Sequence, residues 1–210
     1  MAKVYFTPYG VGLGHASRLI MLAERLGTRG ITSRFSSFGE AAEYISSLGY
    51  ECNLVPSMEF VWTTDGHFSI TSSIAKIPEY FVNFTRQVNQ ELRNLKEFDP
   101  DVVVSDTRLS PVIASKILHI PSIVVLNQVR LLLSPKLRKY KLARSFEAMN
   151  GEFLGLVWTL TDKILVPDLP PPYTISENNI WGTNPIRNKL KYVGFASPRT
   201  AVTEENVKKV

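Results

Sequence analysis

Apolar positions along the chain fall into two periods. Short runs rich in β-branched and aromatic residues recur at KVYFTP (3–8), TSRFSSF (32–38), YECNLVP (50–56), DVVVSD (101–106), SIVVLNQ (122–128), DKILVPD (162–168) and KLKYVGF (189–195). Each has the length and composition of a buried strand. Between the first two, Ala16, Leu19, Ile20, Ala23 and Leu26 recur at helical spacing, which predicts a helix over 16–29 stopped by Gly30. A second helix is expected over 40–48, with Ala41, Ala42, Ile45 and Leu48 inward and Gly49 at its end. The stretch LSPVIASKILHIP (109–121) predicts a third, with Ser110 as N-cap, Pro111 in the first turn and closure before Pro121. Strands alternating with helices imply an α/β fold, a parallel sheet of seven candidate strands covered on both faces.

Two segments break this rhythm. Residues 57–76, SMEFVWTTDGHFSITSSIAK, form a long aromatic and hydroxyl-rich insertion, read as a functional lid. A helix follows it, with Phe81, Phe84, Val88, Leu92 and Leu95 as the expected apolar stripe. The second segment, VRLLLSPKLRKYKLARSF (129–146), carries Arg130, Lys136, Arg138, Lys139, Lys141 and Arg144 beside three consecutive leucines, with no acid before Glu147. Such a stretch suits an anionic membrane surface, the alternative being a solvated helix face. Three prolines in DLPPPY (168–173) predict a stiff turn after the sixth strand.

At 210 residues and 44% hydrophobic content, the chain fits one globular domain with a substantial core. A net charge of +5 is mild, compatible with anionic ligands or a membrane face; no nucleic-acid partner and no metal are expected. Cys52 is the single cysteine and the N-terminus has no export-like segment, so a cytoplasmic setting is expected, peripheral at the inner face of a membrane if the basic segment acts there. No window approaches the roughly 20 apolar residues of a spanning helix.

The chemistry concentrates in two loops. YGVGLGHASR (9–18) places Gly10, Gly12, Gly14 and His15 directly after the first strand, and Ser105, Asp106, Thr107 and Arg108 follow the fourth. In an open doubly wound sheet these strands are neighbours whose following loops diverge, and ligands bind beyond their carboxyl ends. His15 and Asp106 then face each other across one crevice, the arrangement that makes a histidine a general base. Each residue also has a plainer reading, a loop hydrogen bond for the histidine and a turn residue for the aspartate. The loop spacing, G-x-G-x-G-H with a second strand ending SSFG, does not fit dinucleotide binding, which needs G-x-G-x-x-G and an acid at that strand's end. It does suit an anionic or sugar group approaching bare backbone at a helix N-terminus. Gly10, Gly12, Gly14, Arg18, Thr107, Arg108, Asn127 and Gln128 are the candidate residues for binding such a sugar or phosphate group. His67 and His119 have no comparable context and are expected to be structural or exposed.

KVYFTPYGVGLGHASRLIMLAERLGTRGI resembles the opening of GT-B glycosyltransferases, in the branch related to the lipid-linked N-acetylglucosaminyltransferase of peptidoglycan synthesis and its archaeal and bacterial relatives. DPDVVVSDTRLSPVIASKILHIPSIVVLNQ and LKYVGF are similar to the later strands of that N-terminal domain. The resemblance implies a Rossmann-like three-layer domain over 1–195, with 196–210 a linker toward a C-terminal domain that holds most of the nucleotide sugar. It implies an inverting transfer in which His15 deprotonates an acceptor hydroxyl, Asp106 orients His15, and Gly12 and Gly14 admit acceptor or diphosphate oxygens. The donor substrate would be a nucleotide-diphosphate sugar and the acceptor a sugar or lipid-linked sugar. The partner would be the C-terminal domain, in cis or as a separate subunit, without which this half is expected to be inactive. The alternatives are a non-catalytic module of the same fold and half of a sugar-nucleotide epimerase.

Overall fold

The computed structural model describes residues 1–58, 77–129, 139–180 and 184–194. All of the expected lid beyond Met58, His67, Arg130, Lys136, Arg138 and the expected linker lie outside these residues. The chain runs β1 (Lys3–Pro8), α1 (Leu13–Gly27), β2 (Thr32–Ser37), α2 (Gly39–Ser47), β3 (Cys52–Leu54), α3 (Ile77–Phe98), β4 (Val102–Asp106), α4 (Ser110–Ile117), β5 (Ser122–Val125), α5 (Lys141–Trp158), β6 (Lys163–Val166), α6 (Glu177–Ile180), a 3-10 turn (Asn184–Lys189) and β7 (Leu190–Tyr192).

The seven strands form one sheet in the order β3-β2-β1-β4-β5-β6-β7. Every pairing in it is parallel. The order reverses between β1 and β4, which places the switch point where the sequence pattern expected it. Pro8 pairs with Asp106, so β1 and β4 end level and their following turns open at the same edge.

Strand periodicity splits the core between two faces. Val4, Phe6, Phe35 and Val104 pack under α1 and α2 through Ala16, Leu19, Ile20, Ala41 and Ile45. Tyr5 and Val103 point the other way, onto Leu95 and Phe98 of α3 and Ala114 of α4. A third cluster, with Val124, Leu126, Ile164 and Val166 against Trp158, carries the β5–β6 side.

Two expectations are corrected at the level of elements. The expected apolar stripe of α3 holds at its C-terminal end, where Leu95 is buried and Leu92 packs against the same cluster, but Phe81 is exposed, and Gln87, Glu91, Asn94 and Phe98 turn inward beside Leu95. The reason is what α3 packs on: the hydroxyls of Tyr5 and Ser36 and the turn after β4 present polar groups that need partners. Ser110 does not cap α4; it is the first residue of the helix, Leu109 holds the N-cap position, and the Ser110 hydroxyl donates to Gln87 Oε1 at 2.7 Å.

Candidate functional site

The turn after β1 is shaped by three glycines with different duties. A Cβ at Gly10 would stand 2.2 Å from the Phe38 ring and 2.5 Å from the Phe38 carbonyl oxygen, so close packing excludes a side chain there. Gly12 sits at φ 74, the left-handed region that favours glycine, and is the N-cap of α1. A Cβ at Gly14 would meet nothing within 4 Å, so the bare backbone there faces open space. No side chain caps α1 and its first turn holds no acid. Its unpaired N–H groups and dipole therefore favour a negative group arriving from outside.

One turn into α1, positions 15 and 18 share a helix face. Both reach the same carboxylate. His15 Nδ1 lies 2.7 Å from Asp106 Oδ1, and Arg18 Nε lies 3.2 Å from Asp106 Oδ2. Asp106 is fully buried, whereas 27% of the His15 side chain remains exposed. The Thr107 hydroxyl donates to Asp106 Oδ1 at 3.0 Å. With Nδ1 donating to a carboxylate, the neutral ring keeps its lone pair on Nε2, the tautomer required of a proton acceptor. The Tyr9 ring meets His15 edge-on at 5.9 Å and Phe38 likewise at 5.4 Å, while its hydroxyl donates to the Met58 carbonyl at 2.9 Å.

The turn carrying Asp106 is strained and heavily braced. Thr107, a β-branched residue, is held at φ 63, which costs about 1–3 kcal/mol. Ser105 donates its hydroxyl to the Arg108 carbonyl at 2.7 Å, and Thr107 N–H donates to Val125 O at 3.2 Å. Arg108, expected among the ligand-binding residues, is buried: Nη2 donates to Glu91 Oε1 at 2.6 Å and Nη1 to the Ser36 carbonyl at 2.9 Å. Glu91 is itself fully buried, accepts from the Ser36 hydroxyl at 2.7 Å and from the Tyr5 hydroxyl at 3.1 Å, and neutralises Arg108. Burial, with the Glu91 charge beside it, pushes the Tyr5 hydroxyl far above its ordinary range and keeps it a donor. Arg18 too is turned toward protein, onto Asp106. Asn127 and Gln128 stand exposed just beyond β5, next to β4 in the sheet.

Beside the histidine a cleft of about 380 Å³ opens, walled by Tyr9, Phe38, Met58, Phe84, Leu154, Val157 and Trp158, with Gln87, Thr107, Arg108 and Ser110 as its polar lining. Sequence reasoning missed this wall and the Glu91 network. The available signal was the i, i+4, i+7 spacing of Gln87, Glu91 and Asn94, a polar stripe leading onto Leu95 and Phe98. Among the described residues no group of histidine, cysteine or acidic side chains could hold a metal ion.

Residues 2–150 match glycosyl transferase family 1. An uncharacterised glycosyltransferase of Methanosarcina acetivorans is 32% identical over 194 residues, covering 91% of this chain and 50% of that protein. One from Methanosarcina mazei is 31% identical with the same coverage. The chain belongs to glycosyl transferase family 1. This family member spans about half the length of those relatives. In three dimensions it is similar to Acinetobacter baumannii MurG, with TM-score 0.53 and 10% identity over 83% of this chain and 44% of MurG. A UDP-GlcNAc 2-epimerase from Methanocaldococcus jannaschii gives TM-score 0.53 and 15% identity over 92% of this chain and 45% of the epimerase. These likenesses establish the fold, the Rossmann-like N-terminal half of a GT-B architecture.

Proposed function

We propose that this chain is the acceptor-binding half of an inverting, nucleotide-sugar-dependent glycosyltransferase in which His15 is the general base and Asp106 orients it. The observation that carries the reading is the 2.7 Å contact between His15 Nδ1 and a fully buried carboxylate at the mouth of the glycine turn. In the reaction, His15 Nε2 removes the proton of an acceptor hydroxyl as its oxygen attacks the anomeric carbon. The nucleoside diphosphate leaves from the opposite face with the bonding pair, which inverts the centre. Asp106 stabilises the imidazolium that forms, and Arg18 and Thr107 hold Asp106 in place. The open backbone at Gly12 and Gly14 and the uncapped start of α1 suit acceptor or diphosphate oxygens. Asn127 and Gln128, exposed at the neighbouring strand end, are the remaining candidates for acceptor hydroxyls.

The donor sugar nucleotide would be held mainly by a C-terminal domain, consistent with relatives twice as long. On α5, Lys139, just before it, Lys141 and Arg144 are exposed, and Met149, Phe153 and Leu156 continue an exposed apolar face. This supports docking on an anionic membrane and a lipid-linked acceptor, each basic residue near the surface contributing about 1 kcal/mol. Among the described residues no helix is long and apolar enough to cross a membrane.

The test is to join this half to the second half of the Methanosarcina acetivorans relative and supply a panel of nucleotide sugars with membrane extract as acceptor source. The reading expects sugar transfer with inverted anomeric configuration. Interconversion at C2 of a free nucleotide sugar, without transfer, would instead establish the epimerase reading, and neither reaction would leave a binding module.

A further inference from the structure

Asp106 reaches His15 from a turn whose conformation the turn itself does not favour. Thr107 is in the left-handed region, and the next residue, Arg108, is anchored some distance away on α3. We propose that the buried Glu91–Arg108 pair is a positioning element for the His15–Asp106 dyad: Glu91 holds Arg108, and Arg108 holds the turn that aims Asp106 at the histidine. This deepens the functional reading above and rests on it.

The connections are continuous. Glu91 accepts from Arg108 Nη2 at 2.6 Å, and Arg108 Nη1 crosses to the Ser36 carbonyl and hydroxyl at 2.9 and 3.2 Å. Ser36 lies at the end of β2 and donates its own hydroxyl to Glu91 at 2.7 Å. The guanidinium thus ties the β4 turn to a strand and to a helix at once. Neither charge reaches solvent, with side-chain exposures of 2% for Arg108 and none for Glu91. The planar fork of arginine matches two acceptors in fixed directions, which a lysine ammonium cannot reproduce. A buried ion pair adds little to stability compared with an apolar pair of the same volume, so geometry is the more informative contribution to test. The turn it anchors holds Asp106, two residues away, and Thr107, whose hydroxyl binds that carboxylate. Glu91 contacts none of the reacting groups; it acts through Arg108.

The experiment reads the His15 ring proton by 1H–15N NMR in this chain, without substrate, so it is independent of turnover. The unsubstituted chain should show a proton on Nδ1, protected from exchange, with Nε2 unprotonated. Arg108→Lys and the charge-free pair Glu91→Leu with Arg108→Met should keep a native circular dichroism spectrum. In each, the Nδ1 proton should exchange faster by roughly tenfold or more. Recovery of Tm in the charge-free pair without recovery of the His15 signal would separate positioning from stabilisation. A His15 proton that stays protected in the folded charge-free pair would overturn the positioning role while leaving the dyad intact. A missing Nδ1 proton in the unsubstituted chain would remove the dyad, and with it anything to position. Glu91→Gln, which leaves a buried unpaired cation, can fail to fold; the charge-free pair then decides.

Discussion

Gly10 in the loop and Gly14 in the first turn of α1 are four residues apart, yet a methyl group added to each has different consequences. At Gly10 the new Cβ overlaps the Phe38 ring and backbone, and Gly10→Ala should destabilise the fold by about 1–3 kcal/mol, measurable as a lowered Tm. At Gly14 the Cβ meets only open space within a helical turn, so Gly14→Ala should leave Tm within the small range of neutral surface changes. If acceptor or diphosphate oxygens approach that backbone, the same substitution raises KM in the joined enzyme. Unchanged KM would show that the open face at Gly14 is not used. The facing of His15 and Asp106 was readable from sequence because it follows from topology: β1 and β4 end level, so the start of the helix after β1 opens at the same edge as the end of β4. The inward commitment of Arg108 was not readable in this way. An arginine after a strand looks the same in sequence whether it meets a ligand or a buried glutamate, and Glu91 lies 17 residues before it on an element whose rotation depends on packing.

At the scale of elements, the period-2 and period-3.6 patterns located every strand and both helices flanking β2, because burial on the sheet demands apolar side chains at those periods. α3 follows the same rule only in part: Leu95 is buried and Leu92 packs beside it, but Phe81 is exposed and Gln87, Glu91 and Asn94 turn inward because the helix also covers polar groups. The loop after β6 also carries more order than its prolines announced. Asp168, almost wholly buried, accepts from Leu169 N–H at 2.7 Å, from the Thr174 hydroxyl at 2.7 Å and from Ile175 and Ser176 N–H, both at 2.9 Å. Burial alone would raise its pKa, but the hydrogen bonds from Thr174, Ser176 and Leu169 outweigh it and hold the carboxyl well below the usual range. A depressed folded-state pKa contributes stability that is complete above the unfolded value of about 3.9 and is lost as pH falls below it toward the folded value. Stability should therefore decline through that acid window, and Asp168→Asn should lower Tm at neutral pH while flattening the decline. An unchanged slope of Tm against pH in the variant would show that other carboxylates set the acid limit. The exposed face of α5 makes a separate claim. Lys139→Gln, Lys141→Gln and Arg144→Gln together should reduce co-sedimentation with anionic vesicles, and rising salt should do the same. Binding indifferent to both changes would return that face to solvent.

For the whole molecule, the sheet brings the His15–Asp106 pair to one edge, and the chain spans about half the length of its relatives. With the nucleotide expected on a second domain, calorimetry of this half with uridine nucleotides should show binding no tighter than about millimolar. A micromolar site in the glycine crevice would reassign the halves. The proposed chemistry rests on the His15–Asp106 pair, and the measurement that tests the pair is kcat of the joined two-domain enzyme carrying His15→Ala, Asp106→Asn or both. General-base catalysis contributes about 100-fold to 10,000-fold, so His15→Ala should lower kcat by about 100-fold or more with folding intact. Asp106→Asn should fall in the same direction, and the double variant should lose little beyond His15→Ala, because residues that act as a unit are not additive. Near-normal turnover in His15→Ala, or losses in the two single variants that simply multiply in the double, would contradict a catalytic His15–Asp106 pair.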